Sequence, residues 1–285
     1  MIANQVPVSV AIIVATYNKP DYLRATLKQL ARQTTLPNEI IIADDGSDER
    51  TARVIDDFRS EHPELKVHHS WHEDEGFNKC GALNKAITAS SSDYILFLDD
   101  DCPCPAHFVD EHLRRAKPGS FTVGSSIQLN RDISEKILAK GDIAFFFALP
   151  PLRKLQHLGV GEAKSTRKFI VRTLLSGRLL GRLLDRLYLL PGVFRGGNAG
   201  AWRRDLVQIN GFNEDLKWGH EDKEIGIRLQ NLGLKLKQVR YSAANFHLYH
   251  SRPYADQDLR LEQNLYCRSV RKSGQFACSN GLTKS

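Results

Sequence analysis

The sequence has no stretch that would cross a membrane and no recognisable export signal. No run approaches the roughly 18 consecutive apolar residues of a membrane-spanning helix, although 41% of the 285 residues are hydrophobic. The N-terminal stretch MIANQVPVSVAIIVATYN lacks a basic start and a small-residue cleavage site, so we expect no secretory signal. These absences favour a globular protein of the cytoplasm.

Cysteine is scarce and follows no familiar metal or disulfide pattern. The five cysteines are odd in number and scattered, and they include no CxxC pair. A zinc site and a disulfide framework are therefore both disfavoured, and a reducing compartment is expected. Cys102 and Cys104 follow three acids, and we interpret them as ordinary thiols rather than metal ligands.

Several nucleotide-binding and hydrolase motifs are also missing. The sequence contains no GxGxxG before a helix, no phosphate-binding GxxxxGKS or GxxxxGKT, no GxSxG and no HExxH. A dinucleotide-binding fold, a P-loop enzyme, an α/β-hydrolase and a zinc protease of the HExxH type are therefore not supported.

Positive charge is concentrated in one segment. Residues 152–190 hold nine basic and two acidic residues, which account for the whole net charge of +7. Leucines and arginines recur there at helical spacings, so we expect one or two amphipathic helices, interrupted at Gly177 and Gly181. The basic charge raises the alternative of a nucleic-acid-binding protein. Because the segment is rich in leucine rather than interleaved aromatic residues, we expect no nucleic-acid partner.

Strand and helix patterns alternate through the first half of the chain. The apolar, β-branched run at 8–15 predicts a buried strand, and Leu23, Leu27 and Leu30 then recur at helical spacing. The alternation continues through NEIIIADDGSDERTARVIDDF, where Asp48 is a candidate helix cap, and then through LKVHHSW, CGALNKAITAS and DYILFLDDD. This order predicts an α/β fold with a mostly parallel, Rossmann-like central sheet flanked by helices.

Polar clusters lie at the expected carboxyl ends of these strands, where ligands of parallel sheets bind. The clusters are Asn18, Asp44–Asp45 and Asp99–Asp101. Three carboxylates in a row repel one another in a dry site. Either the triplet lies on a solvated turn, or it binds a divalent cation through oxygen ligands.

Three further motifs occupy the second half. After Pro191 we expect a glycine-rich strand, a short helix, a longer helix and a final strand and turn in LKLKQVRYSAANFHLYHSRPY. The glycines of RGGNAG suit a close approach of backbone to a ligand. In WGHED, an aromatic ring and paired carboxylates suit a sugar platform with a base, although acids are common at helix starts. In HLYH, both histidines serve one site only if the chain turns between them.

Together these stretches resemble a known family. VSVAIIVATYNKPDYLRATLKQLARQT, EIIIADDGSDE and DYILFLDDD resemble the nucleotide-binding half of family 2 glycosyltransferases with the GT-A fold. GFNKCGALNKAI, FRGGNAGAWRRDLVQINGFNEDLKWGHEDKEIGIRL and HLYHSR resemble the beta-1,4-galactosyltransferases and related bacterial chondroitin-type polymerase domains. The likeness covers about residues 7–130 and 191–252, with six motifs in the family's order.

The resemblance implies roles for individual residues. Positions that match nucleotide-sugar contacts are Ala15, Tyr17, Asp44, Asp45, Phe77, Lys79, Asp99, Asp100, Gly196, Gly197 and Trp218. Asp101, His247 and His250 match metal ligands, with Mn²⁺ or Mg²⁺ as the implied cofactor. Asp222 matches the catalytic base, and Glu221 matches the acid that contacts a sugar hydroxyl.

Three positions depart from the family's pattern, and one is His247, where animal galactosyltransferases commonly have Met. Lys79 stands where the galactosyltransferases have Arg, so a bidentate phosphate contact is lost. His220 stands where they usually have Gly, which puts the shape of the donor or acceptor pocket in doubt.

The implied activity is that of an inverting, metal-dependent glycosyltransferase. It would move a sugar from a UDP-sugar to a hydroxyl of a glycan or lipid-linked acceptor in bacterial surface polysaccharide synthesis. The alternative is an inactive member that only binds UDP, which the presence of Asp101, Asp222 and both histidines disfavours. The implied organisation is one domain over 1–285. It comprises a nucleotide-sugar-binding half at 7–130, a basic helical insertion at 131–190, an acceptor half at 191–255 and a C-terminal tail at 256–285.

Two interpretations of the basic segment remain open. In one, its leucines pack on the core and its arginines are solvated. In the other, it rests on the inner face of the membrane near a lipid-linked acceptor. The side chains expected at anionic headgroups are Arg167, Lys168, Arg172, Arg178, Arg182 and Arg186, and those expected in the lipid interface are Leu174, Leu175, Leu179, Leu180, Leu183 and Leu184.

Overall fold

A computed structural model describes residues 8–157, 179–188, 192–217, 219–251 and 257–284. Its centre is a seven-stranded sheet with two further strands beside it. The strands are β1 Val10–Thr16, β2 Glu39–Asp44, β3 Val67–Trp71, β4 Tyr94–Asp99, β5 Ser120–Val123, β6 Ser126–Gln128, β7 Ala199–Trp202, β8 Lys235–Gln238 and β9 Asn245–His247. The order in the large sheet is β3-β2-β1-β4-β7-β5-β8, and β6 pairs with β9 in the small one.

The direction of β7 decides where the loops of the second half arrive. β1 is parallel to β2 and β4, and β5 is parallel to β8, whereas β7 is antiparallel to both β4 and β5. β7 therefore begins at the edge where β1, β2 and β4 end. The loop that precedes β7 reaches the same edge as the acidic turn that follows β4.

Helices cover the sheet and explain why its central strands are apolar throughout. All seven residues of β1 and all six of β2 are buried, as expected for strands with a helical layer on each face. The helices are α1 Pro20–Leu30, α2 Glu49–Glu61, α3 Lys79–Ala89, α4 Phe108–Arg115, α5 Arg131–Lys140, α6 Ala144–Ala148, α7 Pro151–Lys154, α8 Leu179–Leu187, α9 Arg203–Gln208, α10 Glu221–Asn231 and α11 Gln257–Ser273. The predicted α/β architecture is confirmed, and Asp48 does cap α2 by accepting a hydrogen bond from the Arg50 amide.

The stretch LKLKQVRYSAANFHLYHSRPY forms two strands, so the prediction of one final strand was wrong. β8 joins the large sheet beside β5, and β9 joins β6 in the small sheet. The chain turns between them because Asp185 of α8 accepts hydrogen bonds from the amides of Tyr241 and Ser242, each at 2.9 Å. Those amides are thereby unavailable to extend β8.

The basic segment is described only in part. Residues 158–178 and 189–191 lie outside the described residues, and so do Gly177 and the predicted lipid-facing side chains Arg167, Lys168, Arg172, Leu174, Leu175 and Arg178. α8 runs through Gly181 without interruption, which corrects the predicted break there. Gly181 lies on the buried side of the helix.

Two side chains of α8 also differ from the expectation for a lipid surface. The Arg182 guanidinium binds the Glu111 carboxylate, with Nη2 and Oε1 2.6 Å apart, so it points to the protein rather than to headgroups. Leu184 is half-buried instead of fully exposed. Among the described residues, no helix is long and apolar enough to cross a membrane.

The C-terminal segment counted as a tail contains a packed helix. α11 lies against α10, and Ile227 of α10 forms a small apolar cluster with Cys267 and Val270. All five cysteines are buried free thiols, which agrees with the predicted absence of disulfides.

Glu39 fastens the start of β2 to the loop that precedes β4. Its buried carboxylate accepts hydrogen bonds from the Ser90 hydroxyl at 2.7 Å, the Ser91 amide at 2.9 Å and the Ser92 hydroxyl at 2.8 Å. Burial alone would raise the pKa of Glu39, but these donors stabilise the charged form and lower the pKa to about 2.

We predict that Glu39→Gln destabilises the protein in a pH-dependent way. The folded-state pKa lies below the ordinary value of 4.5. The extra stability is therefore complete above about pH 4.5 and disappears as the pH falls toward 2, and it amounts to about 3 kcal/mol. Urea unfolding from pH 7 to pH 2.5 should show the difference between wild type and Glu39→Gln shrinking as the pH falls. Glu49→Gln, at an exposed position of α2, is the control and should change the free energy of unfolding by less than about 0.5 kcal/mol. A difference that stays constant with pH would contradict the assigned role.

Candidate active site

The three acids after β4 lie in three different environments. Asp99, the last residue of β4, pairs with Lys79, with Oδ1 and Nζ 3.1 Å apart. Asp100 is buried and accepts a hydrogen bond from the Thr16 hydroxyl at 2.8 Å. Its burial raises the pKa to about 7, since the nearby Lys19 only partly offsets the cost of a buried charge. The turn is therefore buried, and each carboxyl group has its own compensation.

Asp101 meets both predicted histidines. His250 Nε2 lies 3.0 Å from Oδ2 of Asp101, and His247 Nε2 lies 3.6 Å from Oδ1. β9 ends at His247, and the Leu248 amide donates to the Asp101 carbonyl at 2.9 Å, so the chain turns between the histidines as their shared role requires. Burial would raise the pKa of Asp101, but His247, His250 and Lys19 hold it well below its usual range.

The hydrogen bonds of the histidines favour a cation in this cluster. The Nδ1 atoms of His247 and His250 lie 2.8 Å from the carbonyl oxygens of Leu248 and Ser251. A carbonyl only accepts, so each Nδ1 carries the hydrogen and Nε2 is the ring atom that faces Asp101; once the Nε2 proton leaves, each ring directs a lone pair at the carboxylate. Two nitrogen lone pairs and a carboxylate facing one point are a donor set that suits a divalent cation.

Two neighbours of Asp101 were not predicted as part of the site. Lys19 Nζ lies 3.0 Å from Oδ2 of Asp101, and its only sequence signal is its position shortly after β1. Cys102 Sγ lies 3.3 Å from Oδ1 of Asp101, and its ligand atom lies within 4.8 Å of those of Asp101 and His247. Burial and the adjacent acids raise the pKa of Cys102 well above its usual range, so this thiol stays protonated, in line with its interpretation as an ordinary thiol.

A second group of charged side chains lies at the start of α10. Lys79 Nζ, which pairs with Asp99, is also 3.7 Å from Oε1 of Glu221. Glu221 is buried and accepts a hydrogen bond from the Gly219 amide at 2.9 Å. Asp222 follows Glu221 in the first turn of α10. Burial alone would lower the pKa of Lys79, but nearby negative charges, including those of Asp222 and Glu221, raise it.

Asp222 has the properties of a general base. Burial raises its pKa to about 7; the Lys79 ammonium works against this rise, whereas the negative charges of Glu221 and Asp99 add to it. Its Oδ1 atom is buried and, within the described part of the chain, accepts no hydrogen bond. A carboxylate poised near neutral pH with an open lone pair is suited to accept a proton.

Gly196 and Gly197 bring the two groups together. A Cβ atom on Gly196 would lie 2.6 Å from Oδ1 of Asp222, and one on Gly197 would lie 2.7 Å from Oδ2 of Asp99. Neither distance is possible for a real side chain. The close approach expected for RGGNAG is therefore an approach of backbone to these two acids.

The predicted nucleotide positions lie at the ends of β1 and β2. Ala15 is buried in β1 opposite Asp99 of β4, whereas Tyr17 and Phe77 are exposed. Tyr17 donates a hydrogen bond to Asp74 at 2.8 Å. This Asp74 contact was not foreseen, because the two residues are far apart in the sequence.

The two acids at the end of β2 are both buried, and each has partners within the protein. Asp44 is completely buried; it lies 2.7 Å from His69 Nε2 and accepts a hydrogen bond from the Ser47 amide. Asp45 accepts a hydrogen bond from the Asn78 amide at 2.9 Å and lies 3.2 Å from His72 Nε2. Sequence reasoning missed both histidines. Trp218 lies outside the described residues.

Two family profiles match this chain. The profile described as Glycosyl transferase family 2 matches residues 11–175, more than half of the chain. The profile described as the N-terminal domain of galactosyltransferase matches residues 191–251. The two matches include the acidic turn after β4 and the α10 and β9 motifs.

Curated relatives include a chondroitin synthase and a glucosyltransferase. The chondroitin synthase of Escherichia coli is 25% identical over 263 residues, which cover 85% of this chain and 34% of the relative. The validoxylamine A glucosyltransferase of Streptomyces hygroscopicus subsp. limoneus is 27% identical over 236 residues, which cover 81% of this chain and 50% of the relative. The chain thus spans a third to a half of the length of these relatives.

Solved structures establish the fold. The mannosyltransferase PcManGT from Pyrobaculum calidifontis, in complex with GDP-Man and Mn²⁺, aligns with a TM-score of 0.61 at 16% identity, covering 94% of this chain and 65% of that one. GalNAc-T7 with UDP, GalNAc and Mn²⁺ aligns with a TM-score of 0.61 at 14% identity, covering 92% and 48%. Since its profile covers more than half of the sequence, the protein belongs to glycosyl transferase family 2, a family of glycosyltransferase enzymes, and it has the GT-A fold.

Proposed function

We propose that the protein transfers a sugar, with inversion, from a UDP-sugar to a hydroxyl group of a glycan or lipid-linked acceptor. The observation that supports the proposal is that two carboxyl groups with oppositely shifted pKa values lie at the same edge of the sheet. Asp101, with two histidines, is held charged, whereas Asp222 has a pKa raised to about 7. Relatives named as chondroitin and hyaluronan synthases support a role in bacterial surface polysaccharide synthesis.

The nucleotide is assigned to the ends of β1 and β2. The exposed rings of Tyr17 and Phe77 offer apolar faces for a base, and the half of the chain at 7–130 supplies them. Asp45 is the proposed partner for the nucleoside, because its exposed fraction is 6% whereas that of Asp44 is 0%. Ala15, which is buried near the end of β1, lines the bottom of this subsite.

The diphosphate is assigned to the region between Asp101 and Lys79. Asp101, His247 and His250 would hold a divalent cation, which when bound stabilises the negative charge of the departing diphosphate. Mixed carboxylate and imidazole ligands suit Mn²⁺ better than Mg²⁺. Lys79 adds a positive charge near Asp99. Asp100 stabilises the turn by accepting a hydrogen bond from the Thr16 hydroxyl.

The acceptor is assigned to the side of α10. Asp222 takes the proton from the acceptor hydroxyl as the oxygen attacks the anomeric carbon, so no covalent enzyme intermediate is formed. Glu221 contacts a sugar hydroxyl, and the backbone at Gly196 and Gly197, which packs against Asp222 and Asp99, borders the donor sugar. Trp218, just before α10, is the proposed sugar platform.

A donor screen tests the proposed function directly. The protein is incubated with Mn²⁺ and UDP-glucose, UDP-galactose, UDP-N-acetylhexosamines or GDP-mannose, and release of nucleoside diphosphate is measured together with thermal stabilisation. We expect at least one UDP-sugar to be hydrolysed and to raise the melting temperature. Stabilisation by UDP with no turnover of any donor, even after acceptor sugars are added, would favour a protein that only binds the nucleotide.

We predict that removing a metal ligand weakens Mn²⁺ binding and transfer together. Asp101→Ala and His250→Ala should each lower Mn²⁺ affinity by at least about tenfold, because each removes one of three ligands. Isothermal titration with Mn²⁺ in the presence of UDP measures this loss independently of turnover. His68→Ala, at an exposed histidine of β3, is the matched control. Full turnover in EDTA would rule out the proposed cation.

We predict that Asp222→Asn loses catalysis but keeps the nucleotide site. The amide preserves shape but accepts no proton, so kcat should fall by about 10²–10⁴-fold. The Kd for UDP should change little, since Asp222 is assigned to the acceptor. Glu221→Gln is the informative comparison. If Glu221→Gln loses more activity than Asp222→Asn, the role of base belongs to Glu221.

The pH dependence of the rate should report the charge of Asp222. A base must be deprotonated, so a pKa of about 7 predicts that kcat/KM rises with pH through neutrality. Lys79→Met removes the cation that favours the charged carboxylate, so the rising limb should move to higher pH by about one unit or more. Lys85→Met, at an exposed position of the same helix α3, should leave the limb in place. An unshifted limb in Lys79→Met would refute the electrostatic role of Lys79.

A further inference from the structure

The helix α8 turns its leucines away from the protein. Leu179 is 80% exposed, Leu180 51%, Leu183 49% and Leu187 65%. On a helical wheel these four positions fall on one face, with Arg186 at its margin. A surface helix normally buries such an apolar stripe and exposes its charges. α8 does the opposite, which indicates that the leucine face has a partner.

The polar side of α8 is what attaches it to the protein. The Arg182 guanidinium donates to the buried Glu111 carboxylate of α4 at 2.6 and 2.9 Å. Asp185 is buried and accepts hydrogen bonds from the Ser242 hydroxyl at 2.6 Å and the Ser242 amide at 2.9 Å. These partners fix the rotation of the helix, so the outward direction of the leucines is a consequence of satisfied polar contacts.

Cations lie on α8 and on the strand beside it. α8 packs beside β8, the edge strand of the large sheet, which carries Lys235 and Lys237. Arg186 is exposed on α8, and the Arg240 guanidinium lies 4.4 Å from the ring centre of Tyr188, just after the helix. Among the residues that the structure describes, no acidic side chain forms an ion pair with any of these four cations.

This combination of an apolar stripe and a cationic border fits an anionic lipid surface. Leucines enter the boundary between headgroups and acyl chains, and lipid phosphates neutralise the surrounding cations. A second copy of the chain fits less well. A two-fold dimer through this face would bring Arg186, Lys235 and Lys237 of both copies together, and like charges repel.

We propose that α8 and the edge of β8 form a membrane-docking surface, with Leu179, Leu180, Leu183 and Leu187 inserted among anionic phospholipids. Arg186, Lys235, Lys237 and Arg240 lie at the headgroups. Attachment through one short helix and a few cations is reversible and weakens as salt rises. The proposal does not rest on the transfer reaction, because docking requires neither donor nor acceptor.

Vesicle sedimentation tests the proposal with the full chain. The protein is mixed with vesicles of phosphatidylcholine alone, or of phosphatidylcholine with phosphatidylglycerol, at low and high salt. We expect binding to the anionic vesicles only, reduced at high salt. The double change Leu183→Gln and Leu187→Gln should lower the partition coefficient by about tenfold or more, since two apolar side chains no longer insert.

Matched variants separate docking from folding and from catalysis. Leu36→Gln changes a leucine of similar exposure, 46%, in the loop before β2, and it should bind vesicles like wild type. Asp222→Asn should also bind like wild type, so loss of transfer and loss of docking are distinguishable. Because the changed leucines face solvent, the double variant should keep the wild-type melting temperature.

Three results would overturn the proposal. The first is equal sedimentation with neutral and anionic vesicles, and the second is binding that survives Leu183→Gln and Leu187→Gln. The third combines two observations: the wild-type protein does not bind vesicles, and light scattering without lipid shows a concentration-dependent dimer. In this result, Leu183→Gln with Leu187→Gln yields a monomer. That last result would assign the leucine face to a second copy of the chain.

Discussion

Three consecutive carboxyl groups at the end of β4 repel one another, and the site depends on partners that offset this repulsion. Asp99, Asp100 and Asp101 are close enough to repel, yet none has more than limited contact with water. The chain separates their environments: Lys79 neutralises Asp99, Thr16 binds an Asp100 that burial pushes toward the neutral form, and Asp101 meets Lys19 and two histidines. Each partner comes from a different element, so the turn holds its shape only when β1, α3 and β9 are all in place.

The antiparallel β7 brings the second charged group to this turn. If β7 ran parallel to β4, the loop before it would begin at the opposite edge of the sheet. Instead Gly196 and Gly197 reach the carboxyl edge and approach Asp222 and Asp99 so closely that no side chain fits. Lys79 then lies between Asp99 and Glu221, so one cation contacts both the acidic turn after β4 and the acids at the start of α10.

The sequence predicts strands and their carboxyl ends well, because burial on both faces produces long apolar runs such as β1 and β2. The family resemblance implied that His247 and His250 meet at Asp101, whereas the residue pattern gave this only as a condition, since strand periodicity does not reveal a turn. Lys19, His69 and Asp74 were not foreseen. Their partners lie between 25 and 82 residues away in the chain, and local patterns carry no information about such pairs.

The orientation of α8 on the protein could not be predicted from the sequence pattern. Periodicity identifies an amphipathic helix, but which face meets the protein depends on acceptors such as Glu111, 71 residues distant, and on Ser242, 57 residues distant. The Asp185–Ser242 contact also holds the turn between β8 and β9, and β9 leads directly to His247 and His250. The polar face of α8 thus contacts the segment that leads to the two histidines proposed to bind the cation, whereas its leucine face does not. Changes that probe docking must therefore alter the outward leucines, because a change at Asp185 would disturb both surfaces at once.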